Sequence, residues 1–276
     1  MHIVADTSTL YSPKQGRELG VSIIPSCAIV DGKTYRDYED INSEEFLKMI
    51  EEGKVPTTSQ PAVGDVMEVL EEIDDEILYL SIGDGLSGAY QTAMGARNCM
   101  DKNENIYIVD TKTLAGPHKY MLEMAIRLRE EGKKIDEIVR NLKKSIESSV
   151  SFVIPTDFEF LKRSGRLTPI AAKIGAAIKI VPVLTQTEDK RRIEPFAIKR
   201  TRKRAVEAIV NRLETLGAGA NHLISIGHAG VKEQANAIME QMKERLQNVE
   251  FEVFQLPPTL ITHGGPGCIT IQMVEK

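Results

Sequence analysis

The chain has 276 residues, with 35 Lys and Arg against 40 Asp and Glu and a formal net charge of −5. Its 42% hydrophobic and 27% charged residues exclude a disordered or collagen-like chain, and three cysteines exclude a disulfide-built miniprotein. The mild acidity argues against non-specific nucleic-acid binding, which needs clustered positive charge.

In chain order, His2–Ala5 and Ile23–Val30 read as strands. Ser43–Glu52 has helical periodicity, with Ser43 placed to cap it and Phe46, Leu47 and Ile50 as its apolar face. Val63–Ile73 is a second helix, Glu76–Ile82 a buried strand, Ser87–Met100 a helix and Ile106–Val109 a strand. Leu114–Glu131 and Ile135–Ile146 are further helices, separated by Gly132. This alternation predicts a parallel sheet covered by helices on both faces.

The second half changes character. Ser151–Pro155 reads as a strand, Phe158–Leu161 as a short helix and Ile170–Ala177 as a Gly/Ala-rich helix. Ile180–Leu184 and Arg192–Ile198 flank the charged turn Glu188-Asp189-Lys190-Arg191, which signals a hairpin. Arg202–Leu216 and Val231–Leu246 are helices, while His222–Ile226, Val249–Leu256 and Ile269–Val274 are strands. Antiparallel pairing is expected here, and a division into residues 1–150 and 151–276 follows from the change of pattern.

Cys27, Cys99 and Cys268 are odd in number and far apart, with no CxxC pair and no His at metal spacing. They read as free thiols of a reducing compartment, and no metal is expected. The start MHIVADTSTL lacks the basic and apolar regions of a secretory signal. The most apolar stretch, Leu167 to Leu184, is broken by Lys173, Lys179, Pro169 and Pro182, so no integral membrane segment is expected. These features place the chain in the cytoplasm.

Four segments could carry chemistry. Pro56-Thr57-Thr58-Ser59-Gln60-Pro61 sets three hydroxyls between prolines that stiffen the backbone. It reads either as an anion site or as a cap of the Val63 helix. Gly83-Asp84-Gly85-Leu86-Ser87-Gly88 matches GxGxxG after a strand, with Asp110 about 20 residues on, as in a dinucleotide fingerprint. Asp84 would face the pyrophosphate there, and the alternative is a tight turn with Ser87 as helix cap. Lys162–Thr168 carries Arg166 after a Gly turn, which can aim paired donors at a carboxylate or phosphate, or can simply end a helix. Thr262-His263-Gly264-Gly265-Pro266-Gly267 holds His263 in a loop as a donor or base, and His228 is a weaker case. Asp6 and Asp40 are loop-end carboxylates that nothing pairs. No P-loop, GxSxG elbow, HExxH or Cys–His signature is present, so no catalytic residue is assigned.

Read together, these segments resemble the DegV family of bacterial fatty-acid-binding proteins. The matching stretches are Ile3–Ser8, Thr57–Pro61, Gly85–Gln91, Ile108–Thr111, Gly165–Leu167 and His263–Gly267, in the family's order over nearly the whole chain. The resemblance implies a two-domain α/β (EDD) fold. It has an N-terminal parallel-sheet α/β domain, a C-terminal α/β domain with a mixed or antiparallel sheet, and a ligand tunnel between them. It also implies a non-enzymatic protein, with no cofactor, that holds a long-chain fatty acid and presents its carboxylate to a separate fatty-acid kinase. Thr57, Thr58 and Ser59 look like the carboxylate-binding hydroxyls, Arg166 like the family arginine and His263 like the headgroup histidine. The turn residues Gly83, Asp84 and Ser87 complete the implied ligand site. Leu114–Leu128 and Ile170–Ile178 would wall the tunnel, and Met94, Met121 and Met124 either shape it or are plain core.

The chain departs from the family at two places. Gly83-Asp84 stands where the family has Ser-Ser, and Ser164 precedes Gly165 in place of Gly. Asp84 either shares a proton with the ligand, turns away to pair with Arg166 or a lysine, or selects a neutral or cationic headgroup. A nucleotide-dependent enzyme built on Gly83–Gly88 and Asp110 is the alternative function, and a ligand-dependent regulatory module a third.

Overall fold

The computed structural model describes residues 1–101, 103–173 and 180–276. The first half runs β1 (His2–Asp6), a 3-10 turn at Thr7–Thr9, α1 (Pro13–Glu18), β2 (Val21–Ile24), β3 (Cys27–Val30), β4 (Lys33–Arg36), α2 (Ser43–Glu51) and β5 (Thr57–Ser59). It continues through α3 (Val63–Glu71), β6 (Ile77–Ser81), α4 (Ala89–Cys99), β7 (Ile106–Asp110), α5 (Gly116–Glu130) and α6 (Ile135–Ser148). The second half runs β8 (Val150–Ile154), α7 (Phe158–Arg163), α8 (Pro169–Ala172), β9 (Val181–Gln186), β10 (Ile193–Lys199), α9 (Arg202–Thr215) and β11 (His222–His228). It ends with α10 (Lys232–Lys243), β12 (Glu250–Gln255), α11 (Pro258–Gly264) and β13 (Ile269–Glu275).

Strands β2-β1-β6-β7 form a four-stranded sheet in which every pairing is parallel. Side chains alternate across it with period two. Ile3, Ala5, Leu78 and Leu80 enter one cluster with Met121, Leu122, Ile138 and Leu142 of α5 and α6. Val4, Ile77 and Tyr79 enter another with Val66, Leu70, Ala93 and Ala96 of α3 and α4. Burial on both faces explains the unbroken apolar runs of β1 and β6.

Strands β10-β9-β8-β13-β11-β12 form a six-stranded mixed sheet, parallel only at β11–β12. Helices α9 and α10 cover one face through Val206, Ile209, Leu213 and Ile238. The other face meets the first layer. Gln272 Nε2 donates to the Leu114 carbonyl at 3.0 Å and to Ser151 Oγ at 2.9 Å, while its Oε1 accepts from Gly116 N. Gly116 is required at this crossing, because a Cβ there would lie 2.1 Å from Ser225 Cβ.

Several sequence expectations are corrected. The run Ile23–Val30 is two strands in different sheets. Pro25 has no N–H for a ladder, and Ser26 N donates to Thr7 Oγ1 instead. β3 then forms a three-stranded ribbon with β4 and β5, so the hydroxyl segment at Thr57–Ser59 is a strand rather than a loop. It does not cap α3, whose N-cap Ala62 has no side-chain hydrogen bond. Asn42, not Ser43, caps α2, and Ser43 Oγ donates to the Leu256 carbonyl. α1 was absent from the sequence reading although Ser12, Pro13 and Gln15 form a capping box with Pro at N1. The stretch holding His263 is helix α11, started by Pro257-Pro258. The expected helix Ile170–Ala177 begins at α8, but residues 174–179 lie outside the described residues.

Candidate functional site

Between the two sheet layers lies a cavity of about 320 Å³, the size of a small-molecule site. Its apolar wall includes Ile82, Leu86, Leu114, Phe152, Val153, Leu161, Leu256 and Leu260. Thr58, Ser59, Ser87, Arg166 and His263 also line it, from four different elements or turns. Sequence separations of up to 205 residues are closed here.

The short ribbon positions the hydroxyls. Antiparallel pairing of β5 with β3 sets Thr58 opposite Ala28 and Ser59 opposite Cys27. Thr58 Oγ1 and His263 Nε2 are hydrogen-bonded at 3.1 Å. Enclosure by protein, aided by the nearby Arg166 charge, pushes the His263 pKa down to about 3. The ring is therefore neutral at pH 7, with one donor and one acceptor nitrogen.

Arg166 follows Gly165, whose φ of +72° gives the sharp exit from α7. Its Nε donates to the Leu86 carbonyl at 2.9 Å and its Nη1 to the Ser164 carbonyl. Burial lowers its pKa from the ordinary value, but the guanidinium remains charged. Ser164 Oγ donates to the Leu161 carbonyl at 2.6 Å and accepts from Arg166 N at 3.2 Å. Ser164 thus fastens the turn that aims the arginine.

The Gly83–Gly88 turn is occupied by its own chain. Gly83 N donates to the Thr113 carbonyl, Asp84 N to Asp110 Oδ1, and Leu86 N and Ser87 N to the Gly83 carbonyl. Asp110 Oδ1 also accepts from Lys112 N. Gln60 lies against Gly88, where a Cβ would sit 1.7 Å from its Oε1. These contacts take four of the turn's amides and one oxygen of the carboxylate that a dinucleotide would use. Ser87 Oγ accepts from Ala89 N at 3.2 Å and the residue lines the cavity, but the N-cap of α4 is Gly88 and not Ser87 as expected.

Three expected site residues are elsewhere. Thr57 is exposed at the start of β5. Gly83 and Asp84 are absent from the cavity lining. A Cβ on Gly83 would lie 2.9 Å from the Lys112 carbonyl carbon, so the close chain crossing excludes a side chain. Asp84 turns away from the cavity, and its partner is Arg191, with Nη1 to Oδ2 at 2.5 Å, rather than Arg166 or a lysine. Among the lesser candidates, Asp6 is buried and accepts from Ser8 N and Ile82 N, Asp40 pairs with Arg36 at the surface, and His228 lies outside the cavity. Met121 and Met124 belong to the core cluster against α6, and Met94 does not line the cavity. Among the described residues, no group of three or more His, Cys, Asp and Glu gathers as a metal site, and the three cysteines are free. None of the described helices is long and apolar enough to cross a membrane.

A family model described as an uncharacterised protein of the DegV family matches residues 1–276. The chain belongs to the DegV family. It is 28% identical over 278 residues to a DegV domain-containing protein of Caldanaerobacter subterraneus subsp. tengcongensis, covering 99% of this chain and 98% of that one. Among solved structures, it matches a fatty-acid-binding DegV family protein from Thermus thermophilus at 28% identity and a TM-score of 0.87, covering 100% and 99% of the two chains. It also matches DegV, a fatty-acid-binding protein from Bacillus subtilis, at 27% identity and a TM-score of 0.87, again covering 100% and 99%.

Sequence reading missed several residues of this DegV cavity. Ser8, Ser26 and Thr259 line it. Ser8 Oγ donates to His118 Nδ1 at 2.7 Å, because His118 Nε2 must carry the proton that it gives to the Leu80 carbonyl. Burial keeps His118 neutral by lowering its pKa. Thr259, one helical turn before His263, is held by the buried Asp37, which accepts from its N–H at 3.1 Å and from its hydroxyl. Desolvation raises the Asp37 pKa to about 7 against three hydrogen bonds that favour the charge. The pattern Asp6-Thr7-Ser8 carried a local turn signal; Asp37 carried none, since its partner is 222 residues away.

Proposed function

We propose that this protein binds a long-chain fatty acid in the cavity between its sheets, with the carboxylate among Thr58, Ser59, Ser87, Arg166 and His263. The observation that carries this reading is the convergence of one half-buried cation, a neutral imidazole and three hydroxyl residues on one otherwise largely apolar cavity. Ten buried methylenes contribute about 8 kcal/mol, comparable to the entropic cost of association. The polar end then sets affinity and orientation. The fatty-acid-binding relatives from Thermus thermophilus and Bacillus subtilis support the same assignment.

On this reading the chain divides near residue 150 into 1–150 and 151–276, and the ligand lies between the halves. On the same reading the chain is a carrier that offers its acyl group to a separate kinase. Calorimetric titration with palmitate tests the binding role, with saturable one-to-one binding expected. Mixing the loaded protein with a fatty-acid kinase and ATP tests the presenting role, with acyl phosphate as the expected product.

A further inference from the structure

Asp84 places a carboxylate on the turn that also carries the cavity residues Leu86 and Ser87. An unpaired negative charge there would oppose an anionic headgroup. Arg191, in the β9–β10 turn, meets it at 2.5 Å while remaining half exposed. We propose that Arg191 is a specificity-determining residue of this site: by cancelling Asp84 it lets the cavity accept a carboxylate ligand. This rests on the fatty-acid reading above.

Three further observations fix Arg191 in that position. Gly85, at φ +88°, lies so close that a Cβ would sit 2.7 Å from the Arg191 carbonyl oxygen. Gln186 Nε2 donates to the Lys112 carbonyl at 3.0 Å. Lys190 Nζ donates to the carbonyls of Ile146 and Ser149 at the end of α6. The β9–β10 turn is thus tied down through the residues just before Arg191, so the pair is held by the surrounding chain and not only by its own attraction. Charged groups around this turn besides Arg191 include Asp110, whose Oδ1 is taken by two backbone N–H groups, and Arg166, whose Nε is engaged by the Leu86 carbonyl on the same turn.

Arg191 acts through Asp84 and not on the ligand, so its test must read charge preference. Palmitate, hexadecanol and hexadecylamine, equal in chain length and different in head charge, are titrated into wild type, Arg191→Gln, Arg191→Lys, Asp84→Ser and Asp84→Ser/Arg191→Gln. Uncovering one partly screened negative charge near the site predicts that Arg191→Gln loses about tenfold in palmitate affinity. Hexadecanol binding should hold, and the amine should gain. Arg191→Lys should restore most of the loss, and the double variant should recover palmitate binding. Equal losses for palmitate and hexadecanol, or a double variant no better than Arg191→Gln, would overturn the inference. Palmitate binding unchanged in Arg191→Gln would overturn it while leaving the fatty-acid reading intact. Wild type that binds none of the three probes would overturn the fatty-acid reading, and this inference with it.

Discussion

Arg166 is, among the described residues, the Lys or Arg that lines the cavity, and its removal has a calculable effect. The guanidinium spends Nε on Leu86 and Nη1 on Ser164, which leaves donors for a ligand. A charge-assisted hydrogen bond to a carboxylate contributes about 1.5–3 kcal/mol in a half-buried setting. Arg166→Gln should therefore raise the palmitate Kd by about 10- to 150-fold. The chain has no Trp, so calorimetry is the direct assay, with hexadecanol as the uncharged control. The same variant loses the contact to Leu86, and a purely structural effect would weaken both ligands alike. A palmitate Kd within a factor of two of wild type, or an equal loss for hexadecanol, would refute the assignment of Arg166 to the headgroup.

Three further outcomes follow from the buried groups. His263, with a folded pKa near 3 below its ordinary 6.5, should show no imidazole titration by NMR between pH 5 and 8; its contribution to stability is present above pH 6.5 and is lost as pH falls toward 3. Asp37 has the opposite sign: its folded pKa of about 7 lies above the ordinary 3.8, so the stability it contributes is full below about pH 4 and is lost as pH rises to 7, and Asp37→Asn should flatten that part of the denaturation-versus-pH curve. Leu142→Ala, a full-burial truncation between α6 and the parallel sheet, should cost about 2–5 kcal/mol in urea unfolding without changing palmitate affinity per folded molecule.

The legible part of the sequence was its local chemistry. The alternation of short apolar runs with amphipathic stretches gave the parallel sheet, and the charged turn at 188–191 gave the β9–β10 hairpin, because both depend on period and turn residues within a few positions. Arg166 and His263 were marked by adjacent glycines. The split at Pro25 was available too, since proline breaks a ladder, but an unbroken apolar count across it concealed the change of sheet. β5 was hidden because three polar residues form a strand only by pairing with β3. The Asp84 partner was not legible: Arg191 lies 107 residues away, and only the docking of the β9–β10 turn on the Gly83–Gly88 turn brings them together. The same holds for Asp37 and Thr259, whose contact is purely tertiary.

The central claim is that the cavity holds a fatty acid through its carboxylate. The most direct measurement is mass spectrometry of the purified protein, native and then denatured. The account predicts a bound mass in the native spectrum and a long-chain fatty acid released on denaturation, since burial in the cavity slows dissociation. A released molecule of another class, or an empty protein that also fails to take up palmitate on titration, would contradict it.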